Sequence, residues 1–171
     1  DDKLIELLVE RAGYVKQVGE KKKKADLAVF RPEREVAIIE RMCKKNKNLS
    51  GFLADNSIAT IWLEIISGCR ALERKIEISY LGPPGTYSEL AARTLFGHQV
   101  LLHPYDSLDE VVRVAEIGKT DLALIPVENS TEGTVGKSLD LLLKTPLPIS
   151  AELSIPIHHL LLRKIDSLDS I

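Results

Sequence analysis

Two short polar runs in this 171-residue chain have the composition of a small-molecule site. The first, GPPGTYSE (residues 82–89), follows the apolar run IEISYL, and the second, ENSTEGT (residues 128–134), follows DLALIPV. In an open α/β sheet such corners lie at the carboxyl ends of the strands, where ligands bind. Each also brings backbone N–H groups to a helix N-terminus, a seat for a carboxylate. Thr86, Tyr87 and Ser88 at one corner are therefore candidate substrate contacts, as are Asn129, Ser130 and Thr134 at the other, with Glu128, Thr131 and Gly133 beside them. Turn and cap chemistry is the competing reading, because Asn, Ser and Gly favour such turns without any ligand.

The elements that carry these corners alternate. Strands are expected at 76–81, 99–103 and 121–127. Helices should run from the first corner through Phe96, from Ser107 through Ile117, and over 135–144. Ser107 and Glu110 form an S-x-x-E capping box. The run LPISAELSIPIHHLLLR reads as two strand-like pieces separated by Pro156. His158 and His159 lie in the second, one facing the core, with too few partners for a metal site. Alternation of this kind predicts a βαβ sheet.

Residues 1–75 have a different period. One long helix is expected over 1–25, with Leu4, Ile5, Leu7, Leu8, Ala12, Val15 and Val18 on one broad face. Gly19 is tolerated inside it at about 1 kcal/mol relative to Ala. Pro32 suits the first position of a second helix, which ends in KKNKNLSG with Gly51 as the break. Asp55 or Ser57 should cap a third helix, whose stripe of Ile58, Ile61, Trp62, Ile65, Ile66, Cys69 and Leu72 reads as core, Trp62 included. Three helices cannot bury such wide stripes alone. A dimer with the helices of two chains interlocked is the expected solution.

The hydrophobic fraction of 44% with 28% charged residues excludes a disordered chain. Net charge is −2 but unevenly spread: residues 1–75 hold sixteen Lys and Arg against twelve Asp and Glu, and the remainder seven against thirteen. The basic half suits either nucleic acid or a pocket for an anionic small molecule. A ligand-sensing transcription regulator would use short helices joined by a tight turn, which the long first helix does not fit. Cys43 and Cys69 have no metal-binding spacing and read as free thiols. No apolar run approaches the ~18 residues of a membrane span. No signal peptide is visible at the start, so the expected location is cytoplasmic. The chain starts inside a helical pattern without Met and ends on IDSLDSI, and is expected to be a fragment.

Taken together, YLGPPGTYSELAA (residues 80–92) and IPVENSTEGTV (residues 125–135) resemble the prephenate dehydratases. The first half resembles the all-helical chorismate mutases through LLVERAGYVKQVGEKK, FRPERE and EIISGCRALE. Mutase followed directly by dehydratase is the order in the bifunctional enzymes of phenylalanine biosynthesis, and the likeness covers nearly the whole chain. It implies a multi-domain protein: an all-α three-helix mutase module at 1–75, forming an intertwined dimer, then part of an α/β lobe at 76–171 similar to periplasmic ligand-binding proteins. It implies chorismate and prephenate as small-molecule partners, and no cofactor, metal, nucleic acid or membrane. A non-catalytic dimerisation role for the fragment is the remaining alternative.

The mutase reaction is a one-step pericyclic shift of a dicarboxylate, so the protein must hold a compact conformer and stabilise separating charge rather than supply a nucleophile. By resemblance, Arg11 binds a carboxylate and Lys22, eleven residues or about three turns further on, donates to the ether oxygen. Glu35 takes the substrate hydroxyl, assisted by the backbone near Arg31, with Arg34 in the same cluster; apart from the resemblance, Arg34 and Glu35 would read as an exposed ion pair of little energy. Cys69 falls where the family often has Ser, and Glu73 where it often has Gln beside the ether oxygen. A carboxylate there repels developing oxyanion character, so Glu73 must carry a proton to assist, and mutase activity should fall as pH rises. The resemblance also implies an upstream Arg that would precede Asp1, and a Thr-Arg-Phe signature with the dehydratase acid that does not occur in these 171 residues.

Overall fold

The computed structural model describes residues 1–24, 30–130 and 133–158, the side chains of 21–24 excepted. Three helices come first: α1 (Asp2–Lys24), α2 (Pro32–Asn48) and α3 (Asp55–Ala71). The 23 residues of α1 span roughly 35 Å at the α-helical rise. Pro32 opens α2 as expected, and the Gly51 N–H donates to the Asn46 carbonyl at 2.9 Å to close its end. The cap of α3 differs from expectation. Its N-cap is Ala54 with no side-chain bond, and Asp55 sits in the first turn, where it pairs with Lys47 at 2.7 Å. That charge still suits the positive end of the helix.

Both other helices pack on α3, so it is the centre of this layer. It contributes the buried Ile58, Ile66, Ser67, Cys69 and Arg70, whereas α2 contributes no buried residue. On α1, Leu4, Ile5, Leu7 and Val9 are each more than half exposed. One copy of the three helices leaves much of its apolar stripe uncovered, as the width of those stripes predicted.

The α/β part is built on a three-stranded parallel sheet in the order β2–β1–β3, with β1 at Glu77–Leu81, β2 at Leu101–Tyr105 and β3 at Leu122–Leu124. Helix α4 (Tyr87–Phe96) joins β1 to β2, and α5 (Leu108–Glu116) carries the chain back past β1 to β3. Steps in opposite directions with right-handed crossovers put the two helices on opposite faces. Ile78, Ser79 and Tyr80 of β1 are consequently all buried, the pattern of a parallel strand covered on both sides. The buried Ser79 hydroxyl donates to the Val111 carbonyl at 2.8 Å and accepts from the Thr120 hydroxyl at 3.2 Å, so it is satisfied. Ser107 caps α5 by accepting the Glu110 N–H at 3.3 Å, as the S-x-x-E spacing requires.

Four details depart from the sequence reading. Strand β2 starts at Leu101, two residues later than expected, because pairing with β1 begins at Glu77↔Leu101 and Gln99 is drawn onto α3 instead. Strand β3 stops at Leu124, before Pro126, which has no N–H for the ladder. ENSTEGT is not a simple turn: Glu128–Asn129 (β4) and Gly133–Thr134 (β5) pair antiparallel before α6 (Gly136–Lys144). Residues 145–158 contain no strand, and His158 is exposed; His159 and the rest of that apolar run lie outside the described residues.

The two parts meet along one side of α3. Phe30, just ahead of α2, packs on Phe96 with ring centroids 5.0 Å apart and the planes tilted by 57°, and joins the core of Ile76, Ile78, Phe96 and Val100. The Arg74 guanidinium makes a two-pronged bond to Asp121 at 2.6 and 2.9 Å, and Asp121 also accepts the Glu77 N–H. Gly97 has φ +75°, and a Cβ there would lie 2.6 Å from the Cβ of the buried Ser67. Gly97→Ala is expected to lower stability by about 1–3 kcal/mol through overpacking and backbone strain. A thermal melt of the two proteins measures this, and an unchanged midpoint would mean that α3 and the α4 end are not pressed together.

Candidate functional site

An open cleft of about 380 Å³ lies among α1, α2 and α3, within the range of about 300–1,000 Å³ usual for small-molecule sites. Among the described residues five arginines line it, namely Arg11, Arg31, Arg34, Arg41 and Arg70, against two carboxylates, Glu35 and Glu73. Apolar walls come from Val15, Val18, Ile38, Met42 and Ile66. An excess of guanidinium in an apolar recess selects a small anion, because the Arg fork matches a carboxylate.

The cation at its centre is Arg11. Its guanidinium lies over the Trp62 ring at 5.9 Å, and its Nη1 is buried with no hydrogen-bond partner among the described residues. A buried donor left unpaired costs free energy that a ligand can recover. Trp62 is therefore only partly core: one face serves the cleft beneath Arg11.

The charged side chain that the sequence reading missed is Arg70. It is 5% exposed, and its Nη1 donates to both oxygens of Glu35 at 2.6 and 2.7 Å. Its Nη2 donates to the Phe96 carbonyl at 2.5 Å, and Phe30 lies against the guanidinium at 5.6 Å. Glu35 is thus no exposed ion pair with Arg34, which stays solvent-facing together with Arg31. The signal was present: a single Arg in the most regular apolar stripe of the chain needs a buried partner.

Cys69 is a buried free thiol in the cleft wall. Glu73 closes one end of the cleft, half-buried, and packs onto Gly19 of α1; a Cβ on Gly19 would lie 2.7 Å from Glu73 Cγ. The glycine that looked merely tolerated in α1 makes room for that carboxylate. Lys22 is in α1, but its side chain lies outside the described residues. Thus Arg11, Arg31, Arg34, Glu35, Cys69 and Glu73 line one cavity.

The other candidates lie on the α/β part. Strands β1 and β3 are parallel neighbours with Tyr80 opposite Leu124, so the two polar corners leave the sheet side by side. Thr86 is the N-cap of α4 in extended conformation; its hydroxyl donates to the Leu81 carbonyl at 3.3 Å instead of capping the helix. Tyr87 is exposed and Ser88 half-buried. Not every N–H of this corner is open to a ligand: Gly85 donates to Glu89 Oε2 at 2.8 Å. That bond and the Arg93 guanidinium hold the Glu89 carboxyl below its ordinary pKa. Asn129 and Thr134 lie on the β4–β5 ribbon and Ser130 at its tip, all exposed, while Thr131 lies outside the described residues. The ribbon is tied down at its base, where Val135 N–H donates to the Val127 carbonyl at 2.8 Å and the Ser138 hydroxyl to the Pro126 carbonyl at 2.5 Å.

Among the described residues no helix is long and apolar enough to cross a membrane. Nor does any group of three or more His, Cys, Asp or Glu side chains there come close enough to hold a metal ion. The sequence pattern of type II chorismate mutases matches residues 1–74, and that of prephenate dehydratases matches residues 78–171. Bifunctional chorismate mutase/prephenate dehydratases are similar along nearly the whole chain. The protein of Neisseria gonorrhoeae is 43% identical over 164 residues, covering 96% of this chain and 44% of its own length. That of Aquifex aeolicus is 37% identical over 172 residues, covering 100% and 48%, and that of Stutzerimonas stutzeri 40% over 167, covering 95% and 45%. The chain spans about half the length of the curated relatives it matches. No solved structure matches it. With more than half of its residues matching that pattern, the chain belongs to the prephenate dehydratase family, and a region similar to type II chorismate mutases precedes that part.

Proposed function

We propose that the helical cleft rearranges chorismate to prephenate, and that the α/β part forms one wall of a site that converts prephenate to phenylpyruvate, two steps of phenylalanine biosynthesis. The observation that carries the first activity is the buried, unpartnered Nη1 of Arg11 in a cleft with five arginines. Chorismate has two carboxylates and an ether oxygen that gains negative charge as its bond to carbon breaks. Arg11 takes one carboxylate; Arg34, with Arg31 beside it, takes the other. Lys22 donates to the ether oxygen from α1, Glu73 faces the same atom from the turn after α3, and Glu35 accepts the substrate hydroxyl. Cys69 offers a weak S–H donor near a carboxylate. Catalysis then comes from holding the folded conformer and from donors aimed at the developing charge.

In the α/β part, Thr86, Tyr87 and Ser88 face Asn129, Ser130 and Thr134 across the mouth of a cleft between β1 and β3, where the strand order reverses. This lobe, at 76–171, is part of a periplasmic-binding-protein-like α/β fold, with the mutase module at 1–75. The apolar residues left exposed on α1 support an intertwined homodimer in which those of two copies cover one another.

Chorismate disappearance is the direct test. Arg11→Ala should lower kcat/KM by about a hundredfold or more, since it removes a buried charged partner; turnover unaffected by this change would place the reaction elsewhere. For Glu73 the test is the donor itself. Glu73→Gln keeps a neutral N–H donor at that place and Glu73→Ala removes it, so kcat should fall by about a hundredfold in the alanine variant and far less in the glutamine one; equal losses in both would remove Glu73 from this role. Ile5→Glu, which sets a charge on the uncovered stripe of α1, should lower the sedimentation coefficient toward that of a monomer, and a purely monomeric wild-type protein would overturn the dimer.

A further inference from the structure

Helix α3 and the turn that follows it, through Arg74, have two working faces. Trp62, Ile66, Cys69 and Glu73, at spacings of four, three and four, line the cleft. Glu64, Ser67, Arg70 and Arg74, at spacings of three, three and four, face the α/β part. Glu64 Oε1 lies 2.7 Å from His98 Nδ1, and Ser67 Oγ accepts the Gln99 N–H at 3.1 Å. Arg70 donates to the Phe96 carbonyl and Arg74 to Asp121. Arg70 belongs to both faces, because it also holds Glu35 in the cleft by two bonds of 2.6 and 2.7 Å.

We propose that Arg70 is a positioning residue of the cleft, fixing the Glu35 carboxylate from the end of α4. A carboxylate on its own has freedom about three side-chain torsions. Glu35 loses it here because both oxygens are bonded to one guanidinium nitrogen, and that guanidinium is itself held at three points: Glu35, the Phe96 carbonyl and the Phe30 ring. The Phe96 carbonyl is the last of α4 and has no acceptor role inside its own helix, so the bond also satisfies a helix end. The carboxylate keeps unused lone pairs that face the cleft, since two bonds do not exhaust the roughly four acceptor positions of an ionised Glu. Arg70 does not itself meet the substrate. It sets the direction from which Glu35 meets it, and the reference point for that direction lies in the α/β part. The role rests on the reading of the cleft as the chorismate site.

A double-mutant cycle on the full chain tests it, with Arg70→Lys, Glu35→Gln and the pair. Lysine keeps the charge and reaches only one of the two partners, so the protein is expected to fold, which a thermal melt checks. Arg70→Lys should raise KM for chorismate by about tenfold or more while kcat changes less, as expected for a misplaced binding group. In the Glu35→Gln background the same substitution should change KM less than about twofold, because its route of action is gone. Equal effects in both backgrounds, or a lowered melting midpoint with unchanged kinetics, would overturn the positioning role and leave Arg70 as a purely structural bond. The same cycle read as chorismate affinity by calorimetry does not depend on turnover. Binding without conversion would fail the mutase reading alone, additive effects on binding would fail this proposal alone, and no binding at all would fail both.

Discussion

A guanidinium with almost no access to water must be compensated on every side, or the surrounding structure gives way. Arg70 is in that position, and its compensation comes from three different parts of the chain: a carboxylate of α2, the terminal carbonyl of α4 and an aromatic ring ahead of α2. Each of these elements is held where it is partly because the charge is there. Phe30 and Phe96, which enclose it, belong at the same time to the packing around Ile76 and Ile78. The helical cleft and the sheet therefore share this buried polar contact, and the arrangement of either one assumes the other.

From that contact the rest of the architecture follows in order. The side of α3 away from the sheet is free to line a recess, and the arginines of α1 and α2 that surround it give the recess its sign. The sheet, fixed at its near end by Arg74 and Asp121, turns its far end and both polar corners toward solvent. The two candidate sites lie on different sides of one framework rather than in one channel. The chemistry expected of them is correspondingly different. The first is an open, cationic recess with apolar walls; the second presents small hydroxyl and amide groups at the ends of neighbouring strands.

Most of the elements were legible in the sequence because their signals are local. Pro32 marks the start of α2, the Ser107 to Glu110 spacing marks the cap of α5, and the change of hydrophobic period near residue 76 separates helices from sheet. The first cleft residues were legible through the resemblance, and Arg11, Glu35, Cys69 and Glu73 do meet around one cavity. What was not legible depends on partners far along the chain. Nothing near Glu35 announces a bond to Arg70, thirty-five residues away. The start of β2 is decided by its register with β1, not by its own apolar residues. Gly19 looked like a small loss of helix propensity, and its reason is a carboxylate from the turn after α3. The β4–β5 ribbon was missed because Asn, Ser and Gly serve turns and short hairpins equally well.

The connection between α3 and β1 is only five residues, from 72 to 76. The two matched sequence patterns also change over within it, between residues 74 and 78. On paper this is the natural place to divide the chain. In free energy it is one of the worst. A cut there would leave Arg70 without the Phe96 carbonyl, Ser67 without the Gln99 N–H, and Phe30 without the ring it packs against. The two sequence patterns can be read separately, yet the side chains on either side of their joint, Ser67, Arg70 and Phe30 against Gln99 and Phe96, form one packed interior.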